Sequence, residues 1–262
     1  MSFAPEWLAL REKADADARA EGLLDPLRES PLNRNPLLVR DIGCGTGSMG
    51  RWLSGRLGGR QHWVLHDRDP RLLAVAGATV TGPGVTVETR EGDLTALRAE
   101  DLEGTSLLTA SALLDLLTAE EVDSLAAACV DADCPALLTL SVAGRVELDP
   151  PERLDAEFTE AFNEHQRREV DGRRLLGPDA VAAAVDSFER RGAMVWTRPS
   201  PWRLGPDQAA LAGEWLRGWV GAACEQRPAL AAAAPAYLRR RLTGGMRVVV
   251  EHVDLLALPR ST

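Results

Sequence analysis

Only four cysteines stand in the 262 residues, Cys44, Cys129, Cys134 and Cys224. None forms a C-x-x-C pair and no histidine sits at ligand spacing from them, which speaks against a metal centre and against a disulfide framework. Free thiols in a chain of this length suit a reducing compartment. No run of about eighteen apolar residues is present to span a bilayer. The opening stretch, "MSFAPEWLALREKADADARAEG", is charged and lacks the apolar centre of a secretory signal. The expectation is a cytoplasmic protein with no membrane partner. Positive charge is also in deficit, with a formal net charge of -9. That balance argues against a nucleic-acid backbone as partner, since phosphate binding needs a basic field. Arginine clusters such as Arg167-Arg168 and Arg239-Arg240-Arg241 read as solvated helix faces. No internal repeat stands out, and low complexity is confined to the alanine run at 231–234.

What the chain does have is apolar content, 45% of its residues, enough to build a sizeable core. Strand and helix patterns alternate. Residues 5–28 read as an N-terminal helix at loose helical spacing. "LLVRDIG" reads as a short buried strand, followed by a glycine turn and the helix "GSMGRWLSGRL". "HWVLHD", "VTVETREGD", the start of "TSLLTASALLDLL", and "PALLTLSVAG" read as further strands with helices between them. A helix from Gly177, the strand "AMVWTR" and a last strand, "MRVVVEHVDLLAL", complete the pattern. Such alternation predicts a Rossmann-like α/β sandwich of three layers, helix, sheet and helix, with its ligand outside the carboxyl ends of the strands. The N-terminal helical segment is taken as 1–30 and the main domain as 31–262. Insertions at 144–176 and 205–243 interrupt the alternation and are expected to form a substrate lid.

The first glycine turn, "RDIGCGTGSMG", carries G-x-G-x-x-G at Gly45, Gly47 and Gly50. That spacing is associated with dinucleotide phosphates. Asp41, just ahead of the glycines, would repel a pyrophosphate. It suits a ligand with a cationic group and no phosphate, and S-adenosylmethionine has that chemistry. Asp67 ends the second strand, where a carboxylate can accept both ribose hydroxyls. Asp93 ends the third, where it can accept from the adenine amino group.

"DIGCGTGS", "HDRDP", "EGDL" and "LLTASALLDLL", in this order and spacing, resemble the successive motifs of class I S-adenosylmethionine-dependent methyltransferases. The resemblance covers roughly residues 36–142 and the last strand. It implies a seven-stranded, mostly parallel sheet whose last strand is antiparallel. It also implies cofactor contacts at Asp41, Gly43, Cys44, Gly45, Gly47, Asp67, Arg68 and Asp93 and at the backbone around Leu94. Thr109, Ala110 and Ser111 then fall where the family lines the methionine and substrate side. Arg11 is a candidate for the cofactor carboxylate.

Methyl transfer needs in-line attack on a sulfonium methyl, and an acceptor that is not already ionised needs a base as well. His165, in "FNEHQRR", is the candidate base. Asn163, Gln166, Trp202 and Arg203 are candidate substrate contacts. "DPPE" at 149–152 is a decoy for the Asn/Asp-Pro-Pro-aromatic motif of amino-methylating enzymes, because it follows the fifth strand and ends in glutamate. The leading expectation is methyl transfer to a small molecule, with oxygen slightly favoured over nitrogen or carbon. Two alternatives stand beside it: a fold relative that binds the cofactor without transferring methyl, and a nicotinamide oxidoreductase, which Asp41 disfavours.

Overall fold

The computed structural model describes residues 4–30, 35–92 and 97–260. The N-terminal segment is two helices rather than one, α1 (Pro5–Ala18) and α2 (Leu24–Glu29), joined by a short 3-10 turn. The central sheet then builds from β1 (Leu37–Ile42), β2 (Gln61–Asp67), β3 (Val85–Glu91), β4 (Leu107–Ser111) and β5 (Ala136–Asp149), connected through α3 (Ser48–Leu57), α4 (Pro70–Thr79) and α5 (Ala119–Asp131). Beyond β5 come α6 (Asp155–Gln166), a two-residue hairpin of β6 (Glu169–Val170) and β7 (Arg173–Arg174), α7 (Ala180–Arg190), β8 (Met194–Pro199) and β9 (Trp202–Leu204). The chain ends through α8 (Ala209–Gln226), α9 (Ala234–Thr243) and β10 (Arg247–Leu258).

The strand order is β3-β2-β1-β4-β5-β10-β8, with β9 also paired to β10. β1 to β5 are parallel, and β10 is antiparallel to β5, β8 and β9. This is the doubly wound α/β fold that the alternation predicts. It has eight strands rather than seven because two short strands share one edge: β8 pairs with Val253–Leu258 and β9 with Val248–Val250. Two apolar layers flank the sheet. Leu53, Met49, Leu73 and Ala76 from α3 and α4 join Leu23, Leu24 and Leu27 on one face. Leu125, Cys129, Ala184 and Phe188 from α5 and α7 fill the other. Burying such side chains is worth about 1.5–3 kcal/mol each.

A third core lies off the sheet proper. β5 runs on to Asp149, five residues past the strand end predicted at Gly144, because β10 keeps pairing with it as far as Arg247↔Asp149. The two insertions pack on this extended ribbon. Phe158 of α6, Trp219 of α8 and Tyr237 of α9 are fully buried there, with the Phe158 and Tyr237 rings 4.6 Å apart. Trp215 stacks on Trp219 at 5.4 Å. The insertions therefore form a cap with its own core.

Candidate functional site

Strand order reverses between β1 and β4, and a cleft of about 280 Å³ opens there. Its floor is the turn after β1. Gly43, Gly45 and Gly47 all have positive φ, at 62°, 54° and 86°. A Cβ at Gly47 would come within 2.7 Å of Val80, and one at Gly45 within 3.2 Å of the Leu8 methyl. The sequence needs glycine here because the backbone is left-handed and packed from both sides. Ala112, at the end of β4, also lines the cleft and is left-handed without being glycine (φ 52°), a conformation that costs energy and recurs at ligand sites.

Two carboxylates are aimed at this floor. Asp67 sits at the carboxyl end of β2. One of its oxygens accepts the Gly45 N–H at 2.9 Å and the other the Asp69 N–H at 2.9 Å. It thereby fixes the turn and keeps lone pairs on both oxygens for a ligand. Asp41 is fully buried. Its Oδ1 accepts from the Thr109 hydroxyl at 2.7 Å, while Oδ2 has no partner. Burial pushes this carboxyl up to about 7, against the Thr109 bond and the charge of Arg19. Thr109 thus acts behind Asp41 and does not itself line the cleft, and neither does Ala110. Ser111 does line it. Cys44 contributes to the wall, and burial raises its thiol well above the ordinary range. Arg68 lines the outer end, and Asp93 and Leu94 lie outside the described residues.

The roof is α1, which the sequence reading credited with one residue. Leu8, Arg11, Asp15 and Arg19 recur at i, i+3, i+7 and i+11 and all line the cleft. Arg11 grips Asp15 through Nε and Nη2, at 2.9 and 3.1 Å. Asp15 is also held by the Trp202 indole N–H at 3.0 Å. Glu12 pairs with Arg51 of α3 in a two-pronged contact at 2.7 Å, tying the roof to the floor.

Arg19 is the functional residue that the sequence reading missed. It is 3% exposed. Nη2 donates to the Ser48 and Ser111 hydroxyls, both at 3.1 Å, but Nε and Nη1 have no partner. Burial pulls its guanidinium down, opposed by Asp15, Asp254 and Asp41. Asp254, buried on β10, fixes the chain beside it by accepting the Ala20 N–H at 2.8 Å and the Leu140 N–H at 2.7 Å. The signal was present as a helix face, but a charged one. Counting apolar residues gives α1 no stripe.

The expected substrate contacts are elsewhere. His165 contacts Glu225 of α8 at 3.1 Å and Arg168 at 3.2 Å, and does not line the cleft. Burial and Arg168 lower its basicity. The Asn163 amide donates to the Gly144 carbonyl at 2.7 Å and holds α6 to β5, and Gln166 packs under Gly177 ahead of α7. Trp202 is buried in the cap core and does not line the cleft, meeting its roof through Asp15 and the Arg11 guanidinium. Arg203 is exposed on β9. The physical reason is common to these residues: the cap has its own core and charge pairs, which recruit the side chains that it carries. Of both insertions only Arg173 lines the cleft, held by Glu121 at 2.6 and 2.8 Å. Glu121 also closes a capping box with Thr118 at the start of α5. "DPPE" is structural, as expected of a decoy: the Pro150 carbonyl accepts from Arg241, and Glu152 pairs with Arg240 at 2.6 Å. Among the described residues no group of three or more metal-ligating side chains converges, and no helix is long and apolar enough to cross a membrane.

Comparison with known proteins agrees with this geometry. Residues 39–132, from β1 through the end of α5, match the family described as "Methyltransferase domain". Over that stretch the chain is similar to a methyltransferase domain, and the stretch holds the glycine turn, Asp41 and Asp67 of the cleft. Among solved structures it is similar to the cyclopropane synthase MmaA2 from Mycobacterium tuberculosis, at 13% identity over 90% of this chain and 83% of that one, with a TM-score of 0.48. It is also similar to phosphoethanolamine N-methyltransferase 2 of Haemonchus contortus, at 13% identity over 98% of this chain and 59% of that one, with a TM-score of 0.48. A third is the [4+2]-cyclase SpnF, at 15% identity over 94% of this chain and 86% of that one, with a TM-score of 0.45. At these identities and scores the likeness adds nothing to the sheet order described above. Among curated proteins none matches the chain.

Proposed function

We propose that the cleft binds S-adenosylmethionine and that the enzyme transfers its methyl group to a small-molecule acceptor, at oxygen. The observation that carries the reading is a pair of orphans. The Asp41 Oδ2 and the Arg19 Nε and Nη1 are buried, belong to groups of opposite charge, and have no hydrogen-bond partner among the described residues. Leaving such groups unpaired is costly, and a zwitterionic amino-acid head group supplies an ammonium for one and a carboxylate for the other. Asp67 is placed for the ribose hydroxyls, and Arg68 and Gly92 border the same end. A pyrophosphate would face Asp41 and Asp67 instead.

When bound, the cofactor supplies an already activated sulfonium methyl. The protein's residues then hold and align. α1 covers the cleft and excludes water, the glycine turn permits close backbone approach, and Ser111 and Ala112 border the methionine side. Orientation of this kind can contribute on the order of 7–11 kcal/mol. The described lining residues include no histidine, lysine or tyrosine, and Asp41, whose carboxyl stands near 7, is taken in this reading by the cofactor ammonium. An acceptor that arrives already anionic fits that inventory, which favours oxygen.

Titration calorimetry with adenosylhomocysteine tests the reading. Tight binding is expected, and Arg19→Gln should weaken it by about 1.5–3 kcal/mol, the worth of hydrogen bonds to a charged group. Binding of a nicotinamide coenzyme with no heat from adenosylhomocysteine would overturn it.

A further inference from the structure

We propose that Arg11 is a specificity residue and that the methyl acceptor is a carboxylic acid held on the free edge of its guanidinium. The inference rests on the cofactor reading above and deepens it. A guanidinium has two edges that can each hold a carboxylate through two parallel N–H bonds. In Arg11 the side edge, Nε and Nη2, is taken by Asp15. The end edge is open: Nη1 has no acceptor among the described residues, although the side chain lines the cleft. The group is rigidly presented. Asp15 orients it, the Trp202 indole N–H holds Asp15, and the Trp202 ring lies 4.8 Å from the Arg11 guanidinium carbon.

Arg11 and Arg19 stand eight positions apart, about 12 Å along the axis at the α-helical rise, with Asp15 between them. If Arg19 holds the cofactor carboxylate beside Ser48 and Ser111, the Arg11 edge faces a second anion further along the same roof. The lining charges balance once the cofactor is bound, four arginines and the sulfonium against four aspartates and Glu121, so the acid is drawn by the Arg11 edge and not by a net field. The other charged or titratable groups near Arg11 are Asp115 and His252. Burial raises the Asp115 carboxyl above its ordinary range and pulls His252 down to about 3. Apolar Leu113, Leu116 and Leu117 line the same cleft and would receive the body of the acid.

The test uses the full-length protein saturated with adenosylhomocysteine and measures thermal shifts with short aliphatic, long aliphatic and aromatic carboxylic acids, each paired with its primary amide. At least one acid should raise the melting temperature where its amide does not. Arg11→Gln should bind adenosylhomocysteine within about threefold of wild type yet lose about tenfold or more in affinity for that acid, while Arg11→Lys, which keeps charge without the planar edge, should fall between. Acids and amides acting alike, or no acid binding, would overturn the proposal. So would a loss of adenosylhomocysteine affinity in Arg11→Gln as large as that in Arg19→Gln, since Arg11 would then be a cofactor residue. Failure of wild type to bind adenosylhomocysteine would instead strike the cofactor reading itself.

Discussion

Arg19 and Arg241 are equally buried, each 3% exposed, and are treated in opposite ways. Arg241, in the cap, is surrounded. It donates to Asp155 and to the Pro150 carbonyl and sits over the Tyr237 ring, whose hydroxyl also donates to Asp155; its Nε makes no hydrogen bond but lies 3.5 Å from a Glu152 oxygen. Arg19, in the cleft, has two serine hydroxyls, lies over the Trp52 ring and has two nitrogens without a hydrogen-bond partner among the described residues. Burying a cation stabilises a fold only when its partners are present. The cap arginine has its partners within the protein, while the cleft arginine is left waiting for one. The difference lies in the acids: Arg241 has two carboxylates against it, and Arg19 has none within hydrogen-bond reach among the described residues.

The sharpest way to break this comparison is to delete both charges. Arg241→Met should destabilise the ligand-free protein by up to about 3–5 kcal/mol, because half-buried Asp155 and Glu152 lose a buried cationic partner. Arg19→Met should cost under about 1 kcal/mol or stabilise the ligand-free protein, since what it removes is an under-solvated cation. Chemical denaturation of both variants, with and without adenosylhomocysteine, reads the contrast. Equal losses for the two without ligand would mean that Arg19 is a structural residue.

Asp41 extends the comparison to pH. Its carboxyl stands near 7 in the folded chain and at 3.8 ordinarily, so unfolding releases a proton between those values. The folded state binds more protons than the unfolded one there, and stability must fall as pH rises from about 4 to about 7 and stay low above it. Asp41→Asn removes this slope. Ligand-free, it should gain on wild type as pH rises, by up to a few kcal/mol at pH 8. Cofactor affinity should move the other way: in wild type it should strengthen as pH rises through 7 and Asp41 ionises, and in Asp41→Asn it should be weak and flat. Calorimetry across that window decides.

A third effect is smaller. Asp67→Ala should weaken adenosylhomocysteine binding by about 1–3 kcal/mol through lost ribose hydrogen bonds, with added loss from freeing the Gly45 N–H. Unchanged affinity would remove Asp67 from the site.

These residues also show which parts of the site can be read from sequence. Asp41, Asp67 and the glycines were legible because a left-handed turn between a buried strand and a helix restricts residue type locally. Arg19 was not, because α1 turns a charged face to the cleft, and a search for apolar periodicity discards such a face. Trp202 and His165 were misplaced for a related reason. A sequence shows that a side chain has chemistry without showing which neighbour uses it. The extension of β5 to Asp149 depended on pairing with β10, nearly a hundred residues away, and local pattern cannot report that.

His165 supplies the mildest and most specific test of the division. It belongs to the cap and has cap partners, Glu225 at 3.1 Å and Arg168 at 3.2 Å. Glu225 is largely exposed, so its pairing with His165 is worth about 0–1 kcal/mol. His165→Ala should therefore leave adenosylhomocysteine affinity unaltered and change stability by under about 1 kcal/mol. With an acceptor that turns over, kcat and its pH profile should match wild type, because a base in this position would have to act from outside the cleft. A lost pH limb and a fall of about a hundredfold in kcat, with cofactor binding intact, is what removing a general base looks like. That result would make the cap part of the reaction and would end the separation between the region that holds itself together and the region that waits for a ligand.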